Sequence, residues 1–426
     1  MLFRSRRRRR TDPRPAISTS DPVTRSRRVG GIVHGESVTV TATKPRRARA
    51  AVAITFAANG FMFGSWVPHI PDVKHHLHLS SAALGLALLA PALGAVLSMN
   101  LYGRASARYG SATVTRAALL GFCAFAWLPG IADNMPVLWL TLLVWGSSIG
   151  GLDVVMNAQG VTVEHAYGRP VLSGFHAAWS IGALAGAVVG GACVGLGISI
   201  APQQAALGGL VLLGVLLAGR AYLPDPPHHA AAAPSAGSRR MPDLRLLLLG
   251  LAALFSLTSE GAVADWSGVL LRENLHARPS QVGLAFAAFS LTMTAGRLVG
   301  DRVVHRLGRA RSIAVLTAIG AAGLAAGLAP GGLVGAVIGF GLLGVGLSVM
   351  VPIVFSTAAD GAAPGPAIAT VSTLGYTGFL VGPTAIGLIA QGTSVPFALW
   401  LLPLFTCAGG VLGIAAVRMT AARLAS

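Results

Sequence analysis

Acidic side chains are scarce in this sequence. Among 426 residues there are 14 Asp+Glu against 32 Lys+Arg, and charged residues of both signs make up 11%. Soluble domains carry about 25% charged residues, so the composition excludes an ordinary soluble enzyme. Cysteine is scarcer still. Cys123, Cys193 and Cys407 each sit in an apolar stretch. They suggest neither a disulfide framework nor a metal site, and read as small residues at helix contacts. A glycine-rich phosphate loop is missing, which excludes an ATP-driven pump, and so is a His-Glu-x-x-His pair. No nucleophile with an adjacent base lies in the apolar stretches. The expectation is a protein that is not an enzyme, with no catalytic residues, cofactor or metal. The trio His75, His76 and His78 lacks an acid or Cys at ligand spacing.

What the sequence has in abundance is apolar residues, 54%, alongside a net charge of +18. The charge is concentrated. Residues 1–49 hold 14 of the basic residues and 3 of the acids, including the run Arg6 to Arg10. About 40 polar residues follow that run before the first apolar stretch, which does not fit a secretory or twin-arginine signal. Residues 1–46 read as a basic disordered cytoplasmic tail attracted to anionic membrane lipid. Without a folded motif or aromatic residues beside the charge, no nucleic-acid partner is expected.

A bilayer core takes about 20 apolar residues per helix. Twelve such stretches follow, at 49–70, 80–102, 112–131, 136–159, 172–196, 203–222, 244–271, 280–301, 311–329, 332–357, 366–390 and 394–418. The fold class is therefore all-α, a polytopic membrane protein with twelve transmembrane helices in two six-helix halves. Residues 47–222 form the first half, 223–243 a cytoplasmic linker containing Pro224, Pro226 and Pro227, and 244–420 the second half. Beyond residue 49, fifteen basic residues, Arg297 among them, fall in loops on the side of the termini, against Lys74, Arg272 and Arg278 on the other. The positive-inside rule then places both termini in the cytoplasm of a multi-pass plasma (inner) membrane protein.

The halves repeat one another. Arg108-Tyr-Gly110 after the second stretch and Arg306-Leu-Gly308 after the eighth are 198 residues apart. Gly182-x-x-x-Gly186 and Gly378-x-x-x-Gly382 are 196 apart. Duplicated halves are common in transporters. The layout and these loops resemble the major facilitator superfamily, with Ala107 and His305 where that family's loop has an acid. Gly151-Leu-Asp153-Val-Val-Met-Asn157, the Phe175-His176-Ala-Ala-Trp179 that follows, and Glu260-Gly-Ala-Val-Ala-Asp265-Trp266-Ser267 resemble the fucose-permease-like branch, including uncharacterised bacterial inner-membrane members. Sugar–proton symporters of that branch have a second acid before a Val-Pro-His. Here Val67-Pro68-His69 is present, with Gly64 at the acid's position.

Ionisable groups inside a span are costly, about 2.5–3.5 kcal/mol on insertion scales. Four acids lie in or beside the spans. Asp153 and Glu260 are the candidate proton-coupling residues; hydrogen-bonded structural acids are the alternative. Counting along the helices places them moderately past the midplane, on opposite sides. Asp301 lies beside Arg302, as a gate or structural ion pair. Asp265 lies about 21 residues along its helix, near the outer surface, suited to an outer gate. The resemblance implies that Arg108 and Arg306 lock the inner gate. Asn59, Asn157, Gln159 and His176 are candidate solute-binding groups, with His176 either a proton relay or a buried imidazole. Trp179 and Tyr376 would stack on a flat solute, as Trp66 and Trp266 could; Trp66 also fits a membrane-interface anchor.

The resulting expectation is a secondary transporter, acting as a monomer, that moves a small sugar-like solute by alternating access with proton symport. Two alternatives stand beside it. One is a proton-linked efflux antiporter, suggested by Gly182-x-x-x-Gly186-Ala187-x-x-Gly190-Gly191. The other is a membrane sensor that retains the fold without transport.

Overall fold

The computed structural model describes residues 43–168, 171–225, 243–360 and 364–425. The arginine-rich tail up to residue 42, Arg169, Pro170 and linker residues 226–242 lie outside the described residues. Twelve helices are long and apolar enough to cross a membrane. They are α1 (Pro45–His76), α2 (Ser81–Tyr109), α3 (Ser111–Ile131), α4 (Met135–Tyr167), α5 (Leu172–Gly195), α6 (Ile200–Ala221), α7 (Leu244–Asn274), α8 (Pro279–Leu307), α9 (Arg309–Leu328), α10 (Leu333–Ala359), α11 (Thr370–Gly392) and α12 (Val395–Arg423). An even number of passes returns the chain to one face, called the tail face below; the other is the far face.

Local chemistry sets the helix ends. Ser80 caps α2 by accepting from the Ala83 N–H, and Asn134 caps α4 by accepting from the Val137 N–H at 3.0 Å. Gly110 and Gly308 turn the chain between α2 and α3 and between α8 and α9, with φ of +83° and +77°. Each donates its N–H to the carbonyl four residues back, Ser106 or Val304, at 2.9 Å. Only glycine holds that backbone without strain, so the paired Arg-x-Gly elements are one turn built twice.

The repeat extends to packing. Within the first half α5 lies along α1, and within the second α11 lies along α7. A Cβ on Gly182 would sit 2.0 Å from the Ala57 carbonyl oxygen, and one on Gly378 2.5 Å from that of Leu254. The Gly-x-x-x-Gly faces therefore let each fifth helix of a half press backbone to backbone on the first helix of that half.

The halves meet along two equivalent pairs, α2 with α11 and α5 with α8. Their close contacts lie towards the far face. Gly85 packs on Pro383 and Gly387, Gly283 on Pro68 and Ala187, and Gly195 on Ser280. The Thr384 hydroxyl donates to the Gly85 carbonyl at 3.1 Å. Toward the tail face a Cβ on Gly103 of α2 would meet nothing within 4 Å, and Arg104, Arg108, Arg302 and Arg306 are exposed. The bundle is thus closed at the far face, with a cleft between its halves on the tail side.

Candidate functional site

The first wall of the cleft comes from α4. A glycine run, Gly146, Gly150 and Gly151, lets α4 approach α2 so closely that added Cβ atoms would collide with Pro91, Ala95 and Tyr102. Asp153 and Asn157 follow on the adjoining turns, both half-buried. Being four residues apart on a helix puts them on one face. The Asn157 amide donates to the Asp153 carbonyl at 2.8 Å and to Asp153 Oδ1 at 3.2 Å.

The opposite wall comes from α7 and α8. Arg297 Nη2 lies 3.5 Å from Glu260 Oε2, the two side chains being 31% and 20% exposed. Tyr376 of α11 is 52% exposed and lies within Coulombic reach of both Asp153 and Glu260. His176 of α5 is exposed, stands edge-on to Phe56, and is within Coulombic reach of Arg297. Six polar side chains from five helices and both halves thus surround one space.

On its far side the space is closed by Asn59, Trp179, Phe63 and Phe286. The Trp179 indole N–H donates to Asn59 Oδ1 at 2.8 Å. Phe63 packs on Trp179 and, edge-on, on Phe286 of the other half. Asn59 Nδ2 is buried with no partner among the described residues, so this amide keeps an unused donor.

Several expectations need correction. Asp153 and Glu260 both lie close to the middles of their helices, Asp153 slightly toward the tail face and Glu260 slightly toward the far face. Asp153 stands 14 residues from Tyr167 and Glu260 16 residues from Leu244, the tail-face ends of their helices. At 1.5 Å per residue both are roughly 21–24 Å from that face. Arg297, counted among loop cations, is instead inside α8 and faces the cleft.

Gln159 is not a cleft residue. It is fully buried and donates to Ser111 Oγ at 2.7 Å and to the Leu223 carbonyl at 2.9 Å, while accepting from the Leu223 N–H at 3.1 Å. Asp225 adds bonds from the Ser111 N–H and hydroxyl and from Thr162. This collar ties the start of the expected linker onto α3 and α4. The linker's other end is held too: Asp243 pairs with Arg423, whose guanidinium holds that carboxyl below the ordinary carboxylate range.

The expected gates also differ. Among the described residues Asp301 and Arg302 form no ion pair with each other, and Arg108 stacks over Tyr109 rather than meeting an acid. Arg309 pairs with Asp360 at the tail-face end of the second half. Asp265 is half-buried, nine residues short of the far end of α7, because α7 runs on to Asn274. Trp66 is buried edge-on against Trp145, with ring centroids 5.7 Å apart, and is not an interface anchor. At the far face Lys74 pairs with Glu273, which no local sequence pattern signals.

Residues 52–264 match the Major Facilitator Superfamily. The chain is 35% identical to an uncharacterized MFS-type transporter of Yersinia pestis over 85% of this chain and 94% of that one. It is 32% identical to the membrane protein MosC of Rhizobium meliloti over 95% of each. The fold is similar to that of a bacterial homolog of the human lysosomal transporter Spinster, in an inward-facing and unoccupied conformation, with a TM-score of 0.70 at 12% identity over 89% of this chain and 98% of that one. It is also similar to that of the nucleoside transporter NupG, with a TM-score of 0.63 at 15% identity over 87% and 98%. The chain belongs to the Major Facilitator Superfamily and is a multi-pass membrane transporter.

Proposed function

We propose that the protein is a proton-coupled symporter for a small, polar, hydroxylated solute, bound in the central cleft and moved by alternating access. The observation that carries this reading is the cluster of Asp153, Asn157, His176, Glu260, Arg297 and Tyr376 between the two halves. Carboxylates at that depth are costly to keep charged, which suits them to take and release a proton as the cleft changes sides. Asn157, Asn59 and Tyr376 offer hydrogen bonds to hydroxyls, and Trp179 an aromatic face. The likeness of Asp153 to Asn157 to the fucose-permease-like branch supports a sugar-like solute.

On the positive-inside orientation the tail face is cytoplasmic and the protein sits in the plasma membrane, so the present conformation is inward-facing. Arg108, Asp301, Arg302 and Arg306 then find partners across the halves when the cytoplasmic side closes. Asp265 serves at the opposite gate. The glycine face of α5, the feature that suggested export, is occupied by packing against α1.

The test is a pH record from proteoliposomes. Adding the transported solute is expected to alkalinise the medium with wild-type protein and not with Asp153→Asn. Solute uptake without any proton movement would sink the coupling. Absence of flux over a broad sugar and polyol panel would favour the sensor reading.

A further inference from the structure

Arg297 has more capacity than its partner uses. A guanidinium carries five N–H donors. Among the described residues Arg297 makes one side-chain hydrogen bond, from Nη2 to Glu260 Oε2 at 3.5 Å. That is longer than the two-pronged pairing an arginine makes with a carboxylate. The side chain is 31% exposed, within a span, and faces His176 across the cleft. Part of the side chain is therefore open toward the space where the solute sits.

We infer that the solute carries a carboxylate on its hydroxylated frame and that Arg297 receives it. The inference rests on the central cleft being the solute site. The arrangement is two-sided: the guanidinium stands on the α8 wall, while Asp153, Asn157 and Tyr376 supply acceptors and donors for hydroxyls opposite. A neutral sugar would offer that edge only hydroxyl and ring oxygens, which accept without a countercharge, and an amino sugar would meet a like charge there. A carboxylate fits that edge and competes with Glu260 for it. When the solute takes the guanidinium, Glu260 accepts a proton and needs its cation no longer. One proton then accompanies one solute anion, and the pair that selects the solute also takes part in its coupling beside Asp153. The charged and titratable groups around Glu260 are Arg297 from α8, Tyr376 from α11, and Asp153 and His176 across the cleft.

Matched ligands test this on the intact purified protein. Thermal shifts are recorded at pH 5.5 and 7.5 with glucose, glucuronate and glucosamine, with galactose, galacturonate and galactosamine, and with sorbitol, gluconate and glucamine. The expected result is that an acid stabilises the protein and its neutral and amino partners do not. Uptake of one proton makes the acid's affinity rise by up to about tenfold per unit fall in pH. Arg297→Lys keeps the charge but loses the fork, and is expected to weaken the acid at least tenfold. Glu260→Gln is expected to bind it equally at both pH values.

The inference is overturned if no acid binds at pH 5.5, if a neutral or amino ligand binds tighter than its acid, or if Arg297→Lys leaves acid binding unchanged. A neutral or amino ligand lost in Asp153→Asn would remove the carboxylate and leave the cleft as the solute site. Binding indifferent to Asp153, Glu260 and Arg297 alike would remove both. The unliganded melting temperature of each variant reports whether it is folded.

Discussion

Lys74 Nζ lies 2.7 Å from Oε1 and 2.6 Å from Oε2 of Glu273, and so joins the first helix of one half to the first helix of the other at the far face. Both helices depart from α geometry on the way. α1 passes through a 3₁₀ turn at Val67–His69 beside Pro68 and Pro71, and α7 ends in a π-helical turn at Leu270–Asn274. The pair flanks a small cavity lined by Pro71, Asp72, His75 and Arg272. With side chains 12% and 34% exposed, it is partly shielded from solvent and is worth about 1 kcal/mol. Lys74→Ala or Glu273→Ala should therefore shift the population toward the far-face-open state by roughly fivefold. A cysteine placed at Phe286 and labelled from the far side should react correspondingly faster. Combining Lys74→Glu with Glu273→Lys should restore the slow rate.

The α1–α5 seam has no room for side chains. A Cβ on Gly182 would meet the Ala57 oxygen at 2.0 Å, while one on Gly103 meets nothing within 4 Å. Gly182→Ala is expected to cost at least about 2 kcal/mol, because backbone must move. Gly103→Ala is expected to be neutral or to stabilise by up to about 1 kcal/mol through helix propensity. Thermal unfolding of the two variants in one detergent makes the comparison.

Gln159 has the chemistry of a solute ligand and the surroundings of a structural clamp. Gln159→Ala strands the Leu223 N–H and carbonyl, at a cost of about 1–3 kcal/mol. A lower melting temperature is expected, with the affinity of any bound solute changed less than twofold. A large loss of affinity in a folded variant would return Gln159 to the site.

Asp265 is half-buried, and among the described residues nothing offsets its removal from water. An isolated carboxyl in such a place is destabilising. Asp265→Asn should raise thermal stability by about 1 kcal/mol or more. A drop in stability would mean that the acid has a partner in the resting protein.

Much of this was legible in the amino-acid order. The twelve apolar stretches, the turn glycines Gly110 and Gly308, and the glycine faces of α5 and α11 are local or periodic signals, and Asp153, Asn157 and Glu260 stand out as polar groups in apolar runs. What failed was information about facing and partner. Arg297 falls inside the apolar stretch 280–301 yet stands four residues before Asp301-Arg302, so its charge groups it with the loop cations although its side chain lies within the span. Gln159 and Asn157 look alike in one dimension and face different spaces, because α4 turns by about 100° per residue. Lys74 and Glu273 are 199 residues apart, and no local pattern links them.

The central claim is that the cluster around Asp153, Glu260 and Arg297 couples protons to solute. Proteoliposomes holding wild-type, Asp153→Asn and Glu260→Gln protein, given an inward proton gradient and a radiolabelled solute, test it in one measurement. Accumulation against a gradient is expected in the wild type alone, with solute-for-solute exchange surviving in at least one of the two variants. Gradient-driven accumulation at the wild-type level in both variants would contradict the account.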